Sequence, residues 1–469
     1  MAAGFLEKRF DLEAAGTSVS REIRGGSVTF LAMAYIIFVQ PAVLSGQMLG
    51  VDTGLDFGAV MTATCLAAAF STAFMALYAR YPIAQAPGMG ENFFFVVTVV
   101  PAAAALGYNQ PGFVALGVVF VAGVAFILVS LVGVRSILLE AIPASMRHAI
   151  AAGIGLFIAA IGLENATLIR VHDSLSMNVN FASPDLLTFF FGFWVTAILV
   201  VRRTPGAIAW GIALTTGLAI ALKFFMASGE MSQTVASSLL ATRFVLPEAI
   251  VSAPPSLGPT LMQLDIGAAL TATMLPFVVI FLVMDIFDTT GTLIGVGERA
   301  GFMRGGRLPR ARQAMLSDAV GTTVGACLGT STVTSFIESA AGVEEGARTG
   351  LAGLVTAGLF LAALFLSPLV GMVGSYPPIT APALVIVGSL MVGSAAKIKW
   401  KDPSEGLPAF LTLLGIPLSF SIADGLALGL VSYPILKIAI GRGREVHWMI
   451  YVLVLLLVPY YVFVRSQAG

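Results

Sequence analysis

Three carboxylates stand where an apolar chain has little reason to place them. Asp285 and Asp288 interrupt the apolar segment 275–296, and Glu338 follows a run of Ser and Thr in another hydrophobic stretch. At the centre of a membrane-spanning helix each charge costs roughly 2.5–3.5 kcal/mol, so three independent ionised acids would cost about 8–10 kcal/mol. That cost is intelligible if the carboxyls line a cavity, accept N–H groups from a bound molecule, or hold a proton through part of a cycle. The spacing puts Asp285 and Asp288 one turn apart on one helix face. Capping of half-helix ends, or bonds to Thr289, Thr290 and Thr292, is the competing structural reading, and it weighs most for Asp288.

The first half of the chain offers a counterpart in Gln85-Ala-Pro-Gly-Met-Gly-Glu-Asn-Phe-Phe94. Asn92 presents both a donor and an acceptor, which suits the edge of a planar heterocycle. Glu91 either faces a cavity or is an N-terminal helix acid that faces elsewhere. Tyr35, Phe93, Phe94 and Phe95 are able to stack on a ring or to serve as packing. Ser339 adds a hydroxyl beside Glu338 and is grouped with the substrate-binding candidates. Asp318 and Asp424 read as structural. Cys65 and Cys327 lie in apolar runs, and His148, His172 and His447 are isolated. No disulfide framework, metal set, cofactor motif or nucleophile–base pair is written in that pattern.

The elements that must position these groups are membrane helices. Of 469 residues, 58% are hydrophobic and 11% charged, and the mean hydropathy is +0.95. Average globular composition is near 25% charged, so a soluble enzyme is excluded. A net charge of zero gives no footprint for nucleic acid. Runs near the roughly 20 residues that cross a bilayer fall at 27–46, 58–79, 111–132, 145–163, 185–201 and 206–226 in the first half. The second half has 266–295, 313–329, 349–366, 379–395, 406–419, 421–440 and 447–464. Two further segments, 85–105 and 331–345, are too broken by Gly, Pro, Ser, Thr or acid to be continuous helices. Numbered in chain order, with the broken segments as spans 3 and 10, these are fourteen spans and one additional C-terminal helix. The expected fold class is an all-α polytopic membrane protein.

With the N-terminus on the cytoplasmic side, only Arg170, Lys223, Arg243 and Arg465 of the 25 lysines and arginines fall outside, as the positive-inside rule requires. The polar start lacks a cleavable signal pattern. The Arg-rich loop 298–312 reads as a topology anchor. The long external connection 227–264 divides the chain into 1–26, a cytoplasmic N-terminal segment; 27–226, the first repeat; 265–441, the second repeat; and 442–469, a C-terminal hydrophobic helix. The expected place is the plasma membrane, crossed many times, which is the inner membrane in a bacterium.

Leu31-Ala-Met-Ala-Tyr-Ile36 and Leu282-Val-Met-Asp-Ile-Phe287 look alike, and a broken segment follows each at a matching distance. Seven spans per half make the two halves inverted repeats, and paired broken helices point to the binding site of a secondary transporter. Each broken segment reads as a short strand followed by a half-helix, the first from about Glu91. In the second, Thr330 to Thr334 favour extended backbone, and Ser335 is placed to cap a helix holding Glu338 in its first turn.

At these residues the chain resembles the AzgA-type branch of the nucleobase:cation symporter-2 family, permeases for hypoxanthine, adenine and guanine. The stretches that carry the likeness are Ala86-Pro-Gly-Met-Gly90 with Asn92, Asp285-Ile-Phe-Asp-Thr-Thr-Gly-Thr-Leu-Ile-Gly295, Thr332 to Gly342, Glu345-Gly-Ala-Arg-Thr-Gly350, Ala381 to Gly388 and Ser421-Ile-Ala-Asp-Gly425. The resemblance implies a UraA-like fold of two inverted seven-helix repeats. A core domain (spans 1–4 and 8–11) would move against a gate domain (spans 5–7 and 12–14). It implies that Asp285 and Glu338 contact a purine, that Asn92 orients it, that Asp288 supports binding or proton coupling, and that protons travel with the substrate. Glu91 and Phe93 depart from the family pattern, which bears on which base is preferred. The expected partners are a purine nucleobase, protons and the lipid bilayer, with a homodimer as the assembly to test. Alternatives on the same architecture are a carrier of xanthine, uracil or another heterocycle, and an anion transporter.

Overall fold

The computed structural model describes residues 7, 9–132, 143–170, 176–178, 181, 183–227, 233–304, 308–419, 422–448, 450–451 and 454–455. Most of the expected helix at 447–464 lies outside them. Eight helices among the described residues are long and apolar enough to cross a membrane, those of spans 1, 2, 4 to 8 and 11. The helices of spans 9, 13 and 14 hold Asp318, Glu405 and Lys437, which are buried against protein.

Span 1 begins at Val19, ahead of the expected residue 27, and runs as Val19–Met33 and Ile36–Leu44 with a turn between. A boundary at residue 26 therefore falls within the first helix. The polar turn before it is helical because Glu22 is fully buried. Its carboxylate accepts backbone N–H bonds from Arg348 (2.7 Å), Thr349 (3.1 Å) and Ala352 (3.0 Å). These groups lie at the start of the span 11 helix, Gly350–Ala363 with Thr349 as its N-cap, where the first N–H groups lack helical partners and a negative charge meets the positive end of the helix dipole.

Span 2 is Phe57–Phe74, capped by Asp56 and prolonged by the π-helical turn Met75–Ala79. Spans 4 to 7 are Pro111–Val132, Ala144–Asn165, Pro184–Val201 and Ala207–Ala227. Span 8 starts later than expected: Asp265 caps the one-turn helix Ile266–Ala269, and the long helix is Leu275–Arg299. Span 9 is Ala311–Leu328, and spans 12 to 14 are Ala381–Val392, Pro403–Ser419 and Ile422–Ala439. Spans 1 to 4 pack with spans 8 to 11, and spans 5 to 7 with 12 to 14.

Both broken segments are strand followed by half-helix. Span 3 is the strand Gln85–Pro87, then Met89–Phe94, a π-helical turn Phe95–Val99 and Val100–Ala105. Span 10 is the strand Val333–Ser335, then Ser339–Glu344. The strands pair antiparallel with Gln85 opposite Ser335, Ala86 opposite Thr334 and Pro87 opposite Val333. Pairing is extended by Gly88 N–H to the Thr332 carbonyl (3.0 Å) and Phe336 N–H to the Ala84 carbonyl (2.9 Å). Extended backbone deep in a bilayer is tolerated only where its polar groups find protein partners, and here each broken segment supplies them to the other. Ser335 does not cap the following helix. Its hydroxyl instead bonds the Asp318 carboxylate (3.0 Å), and Glu338 itself occupies the N-cap position.

Candidate functional site

The strand crossing sets the site. Asp318 of span 9 lies beneath it, fully buried, and accepts from the Gln85 amide (2.7 Å), the Ser335 hydroxyl (3.0 Å) and the Thr289 hydroxyl (2.6 Å). One carboxylate thus ties span 3, span 10 and span 8 together. Its structural reading holds in this arrangement.

Asp285 and Asp288 do not share one environment. Asp285 is 2% exposed and turns toward span 9, where the Thr322 hydroxyl donates to its Oδ2 (2.9 Å). Its Oδ1 is buried without a hydrogen-bond partner. Asp288, one turn on, is exposed and lies near the Thr334 side chain. Residues three apart on a helix differ by about 60° around the axis, enough for packing of span 9 to cover one and leave the other open. Direct contact with a bound molecule, assigned to Asp285 from the sequence, is open to Asp288 and not to Asp285 in this conformation.

Glu338 is half-buried and accepts the Tyr35 hydroxyl at 3.2 Å. Tyr35 sits at the turn that divides span 1 and is 2% exposed, so it holds Glu338 and offers little ring face to a ligand. Ile337, at 47% exposed, lies beside Glu338. Gly291 and Ile294 continue the exposed face of span 8 past Asp288. This exposed face runs toward Arg299 at the end of the span 8 helix. Among the described residues no Lys or Arg pairs with Glu91, Asp285, Asp288, Asp318 or Glu338. No group of three or more His, Cys, Asp or Glu among them is arranged to hold a metal.

Asn92 is fully buried in a closed network. It exchanges hydrogen bonds with the Gln40 amide, whose Nε2 lies 3.0 Å from Asn92 Oδ1, and it accepts from the Ser331 hydroxyl. Gln40 also reaches the Thr330 hydroxyl (3.0 Å). Glu91, 3% exposed, folds back over Gly88 next to Thr334, where a Cβ on residue 88 would leave it no room. Phe93 is fully buried edge-to-face on Phe157 of span 5 (centroids 5.9 Å, 81°). Ser339 accepts the Ala84 N–H (3.0 Å). Phe93 and Ser339 are therefore packing and strand anchoring in this conformation, not cavity wall. Gln40, Gln85, Thr322 and Thr334 went unremarked as site residues. The signal was there for Gln40, an amide in the otherwise apolar run Ile36–Leu44.

Residues 21–428 match the model of the Permease family, Xan_ur_permease. The chain belongs to this family. The permease is 41% identical over 449 residues to the guanine/hypoxanthine permease PbuO of Bacillus subtilis, covering 95% of this chain and 98% of that one. It is 38% identical over 466 residues to the adenine permease AdeP of Escherichia coli, covering 99% and 97%. Among solved structures it resembles the transmembrane domain of the cyanobacterial bicarbonate transporter BicA. The TM-score is 0.59 at 14% identity, over 87% of this chain and 97% of that one, a likeness of fold alone. The permease is a multi-pass membrane protein and not an enzyme.

Proposed function

We propose that this permease is a secondary transporter that imports purine nucleobases (hypoxanthine, guanine, adenine) together with protons. The observation that carries the reading is the pair of accessible carboxylates, Asp288 on span 8 and Glu338 on span 10, to which no Lys or Arg among the described residues is paired. Carboxylates accept N–H groups, and a purine presents N–H groups on more than one edge. Tyr35 fixes Glu338, and Asn92, clamped by Gln40 and Ser331, sets the spacing of the span 3 half-helix. The relatives named for guanine, hypoxanthine and adenine support the substrate class.

For the proton we assign Asp285, with Asp288 and Glu338 at the substrate. A buried carboxylate with one oxygen unpartnered is costly while ionised, and a proton removes that charge as the site crosses the membrane. We place the N-terminus in the cytoplasm from the distribution of Lys and Arg, which puts the Arg299 end of span 8 on the cytoplasmic side. Alternating access then follows from the unit of spans 1–4 and 8–11 moving against spans 5–7 and 12–14. An anion carrier on the BicA-like fold would gather cations, and this site gathers acids. The test is uptake of labelled hypoxanthine into proteoliposomes under an imposed pH gradient. Accumulation that collapses with a protonophore supports proton symport. Accumulation indifferent to the pH gradient refutes the coupling, and no movement of any purine refutes the substrate.

A further inference from the structure

A cavity lies toward the C-terminal ends of spans 1, 3 and 5. Its volume is about 320 Å³, and its walls include Met48 after span 1, Val97 and Pro101 of span 3, and Ile161, Glu164 and Asn165 of span 5. One side is thus contributed by spans 1 and 3 and the other by span 5, so the space must change shape when one unit moves against the other. Along the two facing helices the layers are ordered. Asn92 of the central site comes first on span 3. Phe93 follows, packed on Phe157 of span 5, both fully buried. Val97 and Ile161, each one turn further along its own helix, form the floor of the cavity. Pro101, Glu164 and Asn165 then lie one turn beyond.

We propose that this cavity is an outer docking site for the nucleobase on its way to the central site, and that the Phe93–Phe157 pair is the barrier between them. The proposal rests on the purine reading given above. The volume is at the lower end of the roughly 300–1,000 Å³ of small-molecule pockets, apt for a single heterocycle. Its walls are apolar, as ring faces require, apart from a carboxylate and an amide at one edge. The Asn165 Nδ2 at that edge is buried without a partner, a donor that a purine carbonyl or ring nitrogen would meet once the side chain turns into the cavity. Nothing in the central site needs Asn165, and an unpaired buried amide is costly unless something fills it at another stage.

The experiment compares wild type, Asn165→Ala and Ile161→Trp in initial-rate uptake of hypoxanthine, with equilibrium hypoxanthine binding to the purified proteins alongside. Asn165→Ala should raise the uptake KM about five-fold, the loss of one neutral hydrogen bond. Ile161→Trp should raise it further by filling the space. Both should leave binding at the central site unchanged. Labelling of Asn165→Cys by a membrane-impermeant maleimide, with Cys327 replaced by alanine, gives a readout independent of turnover. Hypoxanthine should slow that labelling even when Glu338→Gln has removed central binding. Wild-type KM in both wall variants, or labelling unaffected by hypoxanthine, overturns the outer site. Failure of the wild-type protein to bind or move any purine overturns the functional reading instead.

Discussion

Asp318 allows a stringent test, because it is inaccessible to any ligand and yet organises the site. Its three hydrogen bonds reach Gln85, Ser335 and Thr289 at 2.6–3.0 Å. Asp318→Asn keeps one acceptor oxygen, which can serve Gln85 and Ser335, and turns an amide toward the Thr289 hydroxyl, which can accept. The net loss is then about one charge-assisted bond, roughly 1.5–3 kcal/mol. Asp318→Ala leaves three buried donors. After the two hydroxyls rotate to other acceptors, the cost is about 3–6 kcal/mol, a large share of the roughly 5–15 kcal/mol that separates folded from unfolded proteins. The assay is the thermal unfolding midpoint of purified protein in detergent, paired with hypoxanthine affinity. The midpoint should fall in the order wild type, Asn, Ala. Affinity should fall with it, because the crossing that spaces Asp288 from Glu338 loosens. An Asp318→Ala protein with the wild-type midpoint and affinity would show that the crossing does not depend on this carboxylate.

Three other outcomes are expected. Glu22→Ala removes the acceptor for three backbone N–H groups of span 11 and should cost about 3–5 kcal/mol; thermal unfolding checks it, and an unchanged midpoint refutes the cap. Tyr35→Phe loses a single 3.2 Å bond to Glu338 and should weaken purine binding about five-fold, the worth of roughly 1 kcal/mol, without lowering the unfolding midpoint. On the polar loops, Ser404 and Arg442 hold the Asp402 carboxyl down at about 2, and Arg442 with Lys437 holds Glu445 at about 2. Carboxyls depressed in the folded state add stability that is present above the ordinary carboxylate value near 4 and is lost as pH falls from there toward about 2. The unfolding midpoint should drop across that window in wild type and drop less in Arg442→Gln, by a margin that solvent screening keeps small.

Much of this molecule is legible from its residues because a bilayer restricts what polar groups can do. Asp285, Asp288 and Glu338 announce a cavity by their cost, and the Pro-Gly run after Gln85 and the Ser-Thr run before Glu338 announce two broken helices. What the pattern hides is direction. A spacing of three does not say which of two aspartates span 9 will cover, and only Thr322 beside Asp285 decides it. Ser335 fits a helix cap by type, and a nearby buried carboxylate, Asp318, outbids the helix for its hydroxyl. Glu22 falls within the expected cytoplasmic N-terminal segment and carries no signal of its own, because its partners, at Arg348 to Ala352, are more than three hundred residues away. Phe93 reads equally as a stacking face and as packing, and the ring that decides it is Phe157 on another span. In each case the deciding neighbour is brought in by tertiary packing, which local periodicity does not record.

The most direct measurement is equilibrium binding of hypoxanthine, guanine, adenine, xanthine and uracil to purified wild type, Glu338→Gln and Asp288→Asn across pH. Purine binding by wild type that is lost in Glu338→Gln and weakened at least ten-fold in Asp288→Asn, about 1.4 kcal/mol, with unfolding midpoints retained, is the expected result. Undiminished purine binding in both variants would contradict the assignment of these two carboxylates as the nucleobase site.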